Sequence, residues 1–165
     1  MDTAGFAELL KQFTLSAEAG DGARFAAHFT QDAIYHDYIY GPHQGRAEIA
    51  QMMQDMFHRD AADYRWEMFD PVFADGMGYA WSLSSFTSTI EGYKGNKIVI
   101  DGMSRFLVRD GLISEYRESV NGGVAMHQLG VAPERMGKVF TRWTGWLKER
   151  PETIDYVARG PRKRS

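Results

Sequence analysis

Residues 21–50, DGARFAAHFTQDAIYHDYIYGPHQGRAEIA, hold the densest set of side chains that could do chemistry. Asp37 closes a run rich in β-formers, Ala33 to Tyr38, and a loop carrying Tyr38, Tyr40 and His43 follows it. A carboxylate at the mouth of a strand, ringed by hydroxyl and imidazole donors, is a station for proton transfer. The same residues also suit an ordinary strand-to-turn exit. Tyr35, two residues before Asp37, shares its strand face and would form a pocket wall. His36 points the opposite way. His127 follows Gly122-Gly123 and stands where it could close a pocket.

These groups need a scaffold, and the apolar spacing outlines one. Phe6, Leu9, Leu10 and Phe13 fall on one helix face. Asp21 is placed to cap a short helix carrying Phe25 and Phe29. Ile49, Met52, Met53, Met56 and Phe57 predict a third helix from about Arg46 to His58. Beyond residue 62 the rhythm becomes alternating. It predicts strands around Tyr64–Phe69, over Gly78–Ser88 and over Lys97–Val108, and a hairpin at Asp110-Gly111. Residues 121–132 read as loop. Pro133 opens a last helix with the stripe Met136, Val139, Phe140, Trp143 and Leu147, and Pro151 is expected to stop it. Segregated helices and strands of this kind mean α+β. The organisation expected is one domain over residues 1–150 and a tail over 151–165, basic at its end.

The chain has 165 residues, 44% apolar and 25% charged, which suits one globular domain. Its net charge of -3 offers no field for a polyanion, so nucleic acid is not expected as a partner. No apolar run approaches the ~20 residues a membrane span needs, and the N-terminus lacks a signal-peptide pattern. A cytoplasmic location is the expectation. Cysteine is absent, which removes disulfides, thiolate metal sites and a cysteine nucleophile. There is no HExxH, no Walker loop and no GxGxxG, so neither a metal nor an organic cofactor is expected.

Three segments in order carry a family resemblance: FxxxFTxDAxYHD from Phe25 to Asp37, the helix start Gly45-Arg46 with Ile49, and FLVRDGLISEYRE from Phe106 to Glu118. Together they resemble the nuclear transport factor 2-like superfamily, in particular its SnoaL-like and ketosteroid isomerase-like enzymes, over roughly residues 5–121. The resemblance implies a cone-shaped α+β barrel, in which helices pack on the concave face of a curved antiparallel sheet. It also implies a homodimer or higher homo-oligomer through the sheet's outer face. The fold hosts many reactions, so it does not name one.

The resemblance places Asp37 at the isomerases' general base. The oxyanion tyrosine of those enzymes falls on Phe13, and their oxyanion carboxyl falls near Gly102, beside Asp101. The Arg and first Asp of epoxide hydrolases of this fold fall on Ser82 and Ser84, and their last Asp falls on Glu118. Neither residue set is intact. What remains is a pocket with Asp37 and Glu118 on its walls, and Asp101 as the rival acid. Ser82, Ser84, Asp101, Tyr35, Tyr38, His43 and His127 are candidate substrate contacts.

These residues suit proton transfer on a small hydrophobic, aromatic, hydroxylated molecule. Asp37 would take a proton. Glu118 or a tyrosine such as Tyr40 would protonate a leaving oxygen, with loss of water or of a small aldehyde from an aryl diol. A polyketide cyclase or steroid-type isomerase would use the same base. A ligand-binding or assembly module with no chemistry is the third reading.

Overall fold

The structure, a computed structural model, describes residues 1–161; Arg162 to Ser165, the end of the basic tail, lie outside the described residues. The chain divides into two compact units, with the boundary in the sequence between Gly130 and Val131.

In the first unit, α1 (Thr3–Glu18) starts where the Asp2 carboxylate accepts the Gly5 N–H at 2.8 Å. It buries Phe6, Leu10, Phe13 and Ala17 on one stripe. Helix α2 (Gly22–Ala27) is capped by Asp21, which accepts from Arg24 N–H at 2.9 Å. It ends before Phe29, which opens strand β1 (Phe29–Asp37) instead of extending the helix. The expected loop after Asp37 contains a short strand, β2 (Gly41–Gln44), paired with β1.

Helix α3 (Gly45–Met52) is tied down by Arg46, whose Nε donates to the Phe29 carbonyl at 2.6 Å. It runs on into a π-helical turn (Met53–Phe57) and the single turn α4 (His58–Asp60). The wider turn carries Phe57 between Tyr40 and Tyr64, with ring centroids 6.0 and 6.2 Å away. His58 Nε2 meets the Ala17 carbonyl at 2.7 Å and fixes this corner to α1.

Strands β3 (Ala61–Ala74), β4 (Met77–Ser88), β5 (Lys97–Arg109) and β6 (Leu112–Val120) form the meander. The six strands make one curved sheet in the order β2-β1-β6-β5-β4-β3. Every pairing is antiparallel except β1 with β6, which is parallel. A chain that leaves β1 and returns by four more strands closes the sheet this way. The pairing brings the C-terminal ends of β1 and β6 to the same place.

Alternation then sorts the side chains. Tyr35, Trp66, Ala80, Ser82, Ser104, Phe106 and Tyr116 are buried on the concave face against α1. Phe69, Tyr79, Trp81, Leu83, Val99 and Met103 stay exposed on the other. Phe13 is the hub of the core, with rings of Phe25, Trp66, Phe106 and Tyr116 all within 5.8 Å. The Phe6 ring lies directly on Gly78, where any Cβ would collide with it.

Residues 121–132 are not all loop. Asn121 accepts from Val124 N–H and starts α5 (Gly122–Leu129), which Gly130 ends in a left-handed conformation. The Gln128 side chain bonds both the N–H and the carbonyl of Val99, fixing α5 to β5.

The second unit contains α6 (Pro133–Glu149) and α7 (Pro151–Ala158). Pro151 ends α6 as expected, but it also opens α7, because a proline at the first helical position forfeits no hydrogen bond. Phe140 packs on Trp143, and Arg142 lies over the Trp146 ring at 5.1 Å. Among the described residues, no helix is long and apolar enough to cross a membrane.

Candidate active site

Parallel pairing of β1 with β6 builds the site. Tyr35 pairs with Tyr116 and His36 with Arg117. One step further along these strands stand Asp37 and Glu118. Tyr35 and Tyr116, each two residues before a carboxyl on the same strand face, are buried in the core and stack with centroids 4.6 Å apart. Glu118 therefore stands on the strand beside Asp37, rather than on a separate wall.

The loop after β1 grips both groups. The N–H groups of Ile39 and Tyr40 donate to Asp37 Oδ1 at 2.7 and 2.5 Å. The Tyr38 N–H donates to the Glu118 carboxylate. Three successive backbone donors thus serve two acids. On the other side, the Tyr116 hydroxyl donates to Glu118 Oε2 at 2.8 Å and lies 3.1 Å from Ser104 Oγ.

Burial dominates the electrostatics. It pushes Asp37 up to about 6 against the pull of the Tyr40 and Ile39 N–H groups. It pushes Glu118 up to about 8, with the charge of Asp37 adding to the rise and the Tyr116 hydroxyl and Tyr38 N–H opposing it. Two interacting carboxyls release their protons in two steps that belong to the pair. Between those steps the site holds one proton and one negative charge. Tyr64 is raised first by burial and then by the charges of Glu118 and Asp37, so its hydroxyl lies in the field of both.

The other candidates fall in different places. Ser82 is buried and accepts the Trp66 Nε1–H at 2.7 Å. Ser84 pairs with the Tyr64 hydroxyl. Both serines are thus occupied by aromatic neighbours. His43 is half-buried on β2 opposite Tyr35, and burial lowers its pKa against the charge of Glu48.

Tyr40 is turned away from the acid role. Its hydroxyl donates to Asp60 Oδ2 at 2.8 Å, and burial with that bond raises its pKa. Asp101 is exposed on the outer face, one residue from the inward Gly102, because alternation puts adjacent side chains on opposite faces. His127 is exposed on α5.

Tyr64, Trp66 and Ser104 were not among the sequence candidates. The i, i+2 spacing of Tyr116 and Glu118 was a readable signal. Among the described residues, no group of three or more histidines and carboxylates gathers to hold a metal.

Solved structures share the fold. TsrD from Streptomyces laurentii superposes with a TM-score of 0.69 at 17% identity, covering 80% of this chain and 99% of that one. A putative polyketide cyclase from Xanthomonas campestris gives 0.63 at 22%, covering 78% and 99%. An LEH-like epoxide hydrolase from M. tuberculosis gives 0.63 at 14%, covering 77% and 90%. No curated protein matches the sequence at a significant level. The SnoaL-like domain model matches residues 10–116, most of the first unit, and the chain belongs to that family, within the nuclear transport factor 2-like superfamily.

Proposed function

We propose that the protein is a cofactor-independent lyase acting by general acid–base catalysis on a small hydrophobic, hydroxylated aromatic molecule. One observation carries this reading: the parallel register of β1 and β6 sets the carboxyls of Asp37, buried, and Glu118, half-buried, side by side, where burial raises the proton affinity of both. Environments that push neighbouring titratable groups apart assign one as base and the other as acid. Asp37 is the base and Glu118 the acid.

Elimination uses both at once. Asp37 removes a proton from the substrate, and the electron pair released forms the new double bond. The bond to the leaving oxygen breaks, and Glu118 supplies that oxygen's proton, so water departs. In the aldehyde-releasing form, Asp37 removes a hydroxyl proton and the adjacent carbon–carbon bond breaks to give the aldehyde. Its electron pair becomes the new double bond as the second oxygen leaves, protonated by Glu118. A phenolic ring would carry charge in passing.

A polyketide cyclase or steroid-type isomerase is the second reading. It is favoured by the description of one similar structure as a putative polyketide cyclase. A homodimer through the outer sheet face is part of the proposal, supported by the exposed apolar residues there.

The test is mass-resolved turnover of phenolic diols, hydroxyketones and cyclic enones by the wild type and Asp37→Asn, with no cofactor added. Loss of water, alone or together with an aldehyde, abolished in the variant, is the expected result. Turnover at constant mass gives the second reading. Binding without turnover, equal in both proteins, removes Asp37 from catalysis and leaves a binding module.

A further inference from the structure

We propose that Tyr116 is the positioning residue of this site. Oriented by Ser104, it fixes Glu118 Oε1 as the oxygen that carries the transferable proton. The inference rests on the acid role given to Glu118 above.

A tyrosine has one hydroxyl proton. Tyr116 gives it to Glu118 Oε2 at 2.8 Å, so the bond of 3.1 Å between Tyr116 and Ser104 runs the other way, with Ser104 Oγ donating to the phenol oxygen. Ser104 and Tyr116 are fully buried, so no solvent competes for either hydroxyl. The chain of donors has one direction, Ser104 to Tyr116 to Glu118. An oxygen that accepts Tyr116's proton in this way serves as the carbonyl oxygen of the neutral acid. The acid's own proton then sits on Oε1.

The ring that makes this possible is held on all sides. Tyr116 stacks on Tyr35 and meets Phe106 at 5.0 Å, Phe13 at 5.7 Å and Trp66 at 6.1 Å. These contacts fix where the ring holds its hydroxyl oxygen. A donor pointed at the carboxylate favours the charged form, so Tyr116 also restrains how far burial raises Glu118. Tyr116 does not reach the substrate in this scheme; it acts through Glu118.

The experiment is a carboxyl-carbon NMR titration of protein labelled at glutamate, with the Glu118 signal assigned by its loss in Glu118→Gln. Tyr116→Phe keeps the ring and removes the donor, and Glu118 should then titrate roughly one unit higher. Ser104→Ala should move it the same way by less. If turnover has been found, the basic limb of the kcat/KM profile should follow the NMR shift in each variant. A Glu118 titration unmoved in a folded Tyr116→Phe protein overturns the proposal. Should that variant fail to fold, Ser104→Ala decides alone, and an unmoved titration there overturns it equally. Because the NMR readout needs no substrate, absence of turnover counts against the lyase reading and leaves the placement of the proton to be judged separately.

Discussion

Asp37 and Glu118 lie one register step beyond the His36–Arg117 pair of two parallel strands, held by three consecutive N–H groups of one loop. Any motion of Tyr38–Tyr40 therefore changes both acids together. The pair's two protonation steps, near 6 and near 8, set the first expectation.

Activity should follow a bell in pH. The base must be ionised, so kcat/KM rises through the lower step. The acid must hold its proton, so it falls through the upper one. Asp37→Asn should lower kcat by roughly two to four orders of magnitude, the usual range for a proton-transfer group. Glu118→Gln should abolish the descending limb. A profile flat from pH 5 to 9 in the wild type would remove the pair from the mechanism.

Stability should also report the pair. Both carboxyls have raised pKa values in the fold, so between their ordinary values near 4 and the upper step the folded state binds more protons than the unfolded chain. Stability then declines with rising pH across this window. The contribution is fully present below the ordinary carboxylate range and is lost as pH passes the folded values. Thermal denaturation from pH 5 to 9 checks the sign: Tm should fall toward pH 9 in the wild type and fall less in Glu118→Gln. A wild-type Tm that rises with pH across this interval would contradict the raised values.

Tyr40→Phe separates latch from acid. The hydroxyl holds Asp60, which also pairs with Arg59 at 2.6 Å, and its backbone N–H serves Asp37 whatever the side chain. The expected result is a loss of about 1 kcal/mol in stability, the ordinary worth of one such hydrogen bond, with kcat within several-fold of wild type. A loss of kcat comparable to that of Asp37→Asn would restore Tyr40 as an acid.

Much of the scaffold was readable because it depends on local patterns. Phe6, Leu10 and Phe13 announced α1 by spacing, and Asp110-Gly111 announced the last hairpin. The misses share a cause: they are set by partners remote in the chain. The parallel pairing of β1 with β6 has no local signature, so Asp37 and Glu118 were expected on the walls of one pocket without being placed on neighbouring strands. Asp101 and Gly102 differ by one residue, and only the register with Ser82 and Val120 assigns their faces. Tyr40 looked like a free hydroxyl until the π-helical turn and α4 brought Asp60 to it. The helix α5 was hidden by Gly122-Gly123, whose low helix propensity is overridden by the Asn121 cap and the Gln128 bonds to Val99.

The outer sheet face makes the last prediction. Phe69, Trp81 and Met103 stand in register across β3, β4 and β5, all exposed. Tyr79 and Leu83 extend the row along β4, and Val72, Tyr79, Trp81 and Met103 line a depression of about 320 Å³. Exposed apolar surface of this extent is unfavourable in water, and a two-fold dimer buries it by using the same face twice. Light scattering on the eluted wild type should give twice the chain mass. Trp81→Glu puts a charge at the centre of that row without touching the concave face, so it should yield a folded monomer that keeps the Glu118 titration. A wild type that elutes as a monomer at micromolar concentration would leave this face without a second copy.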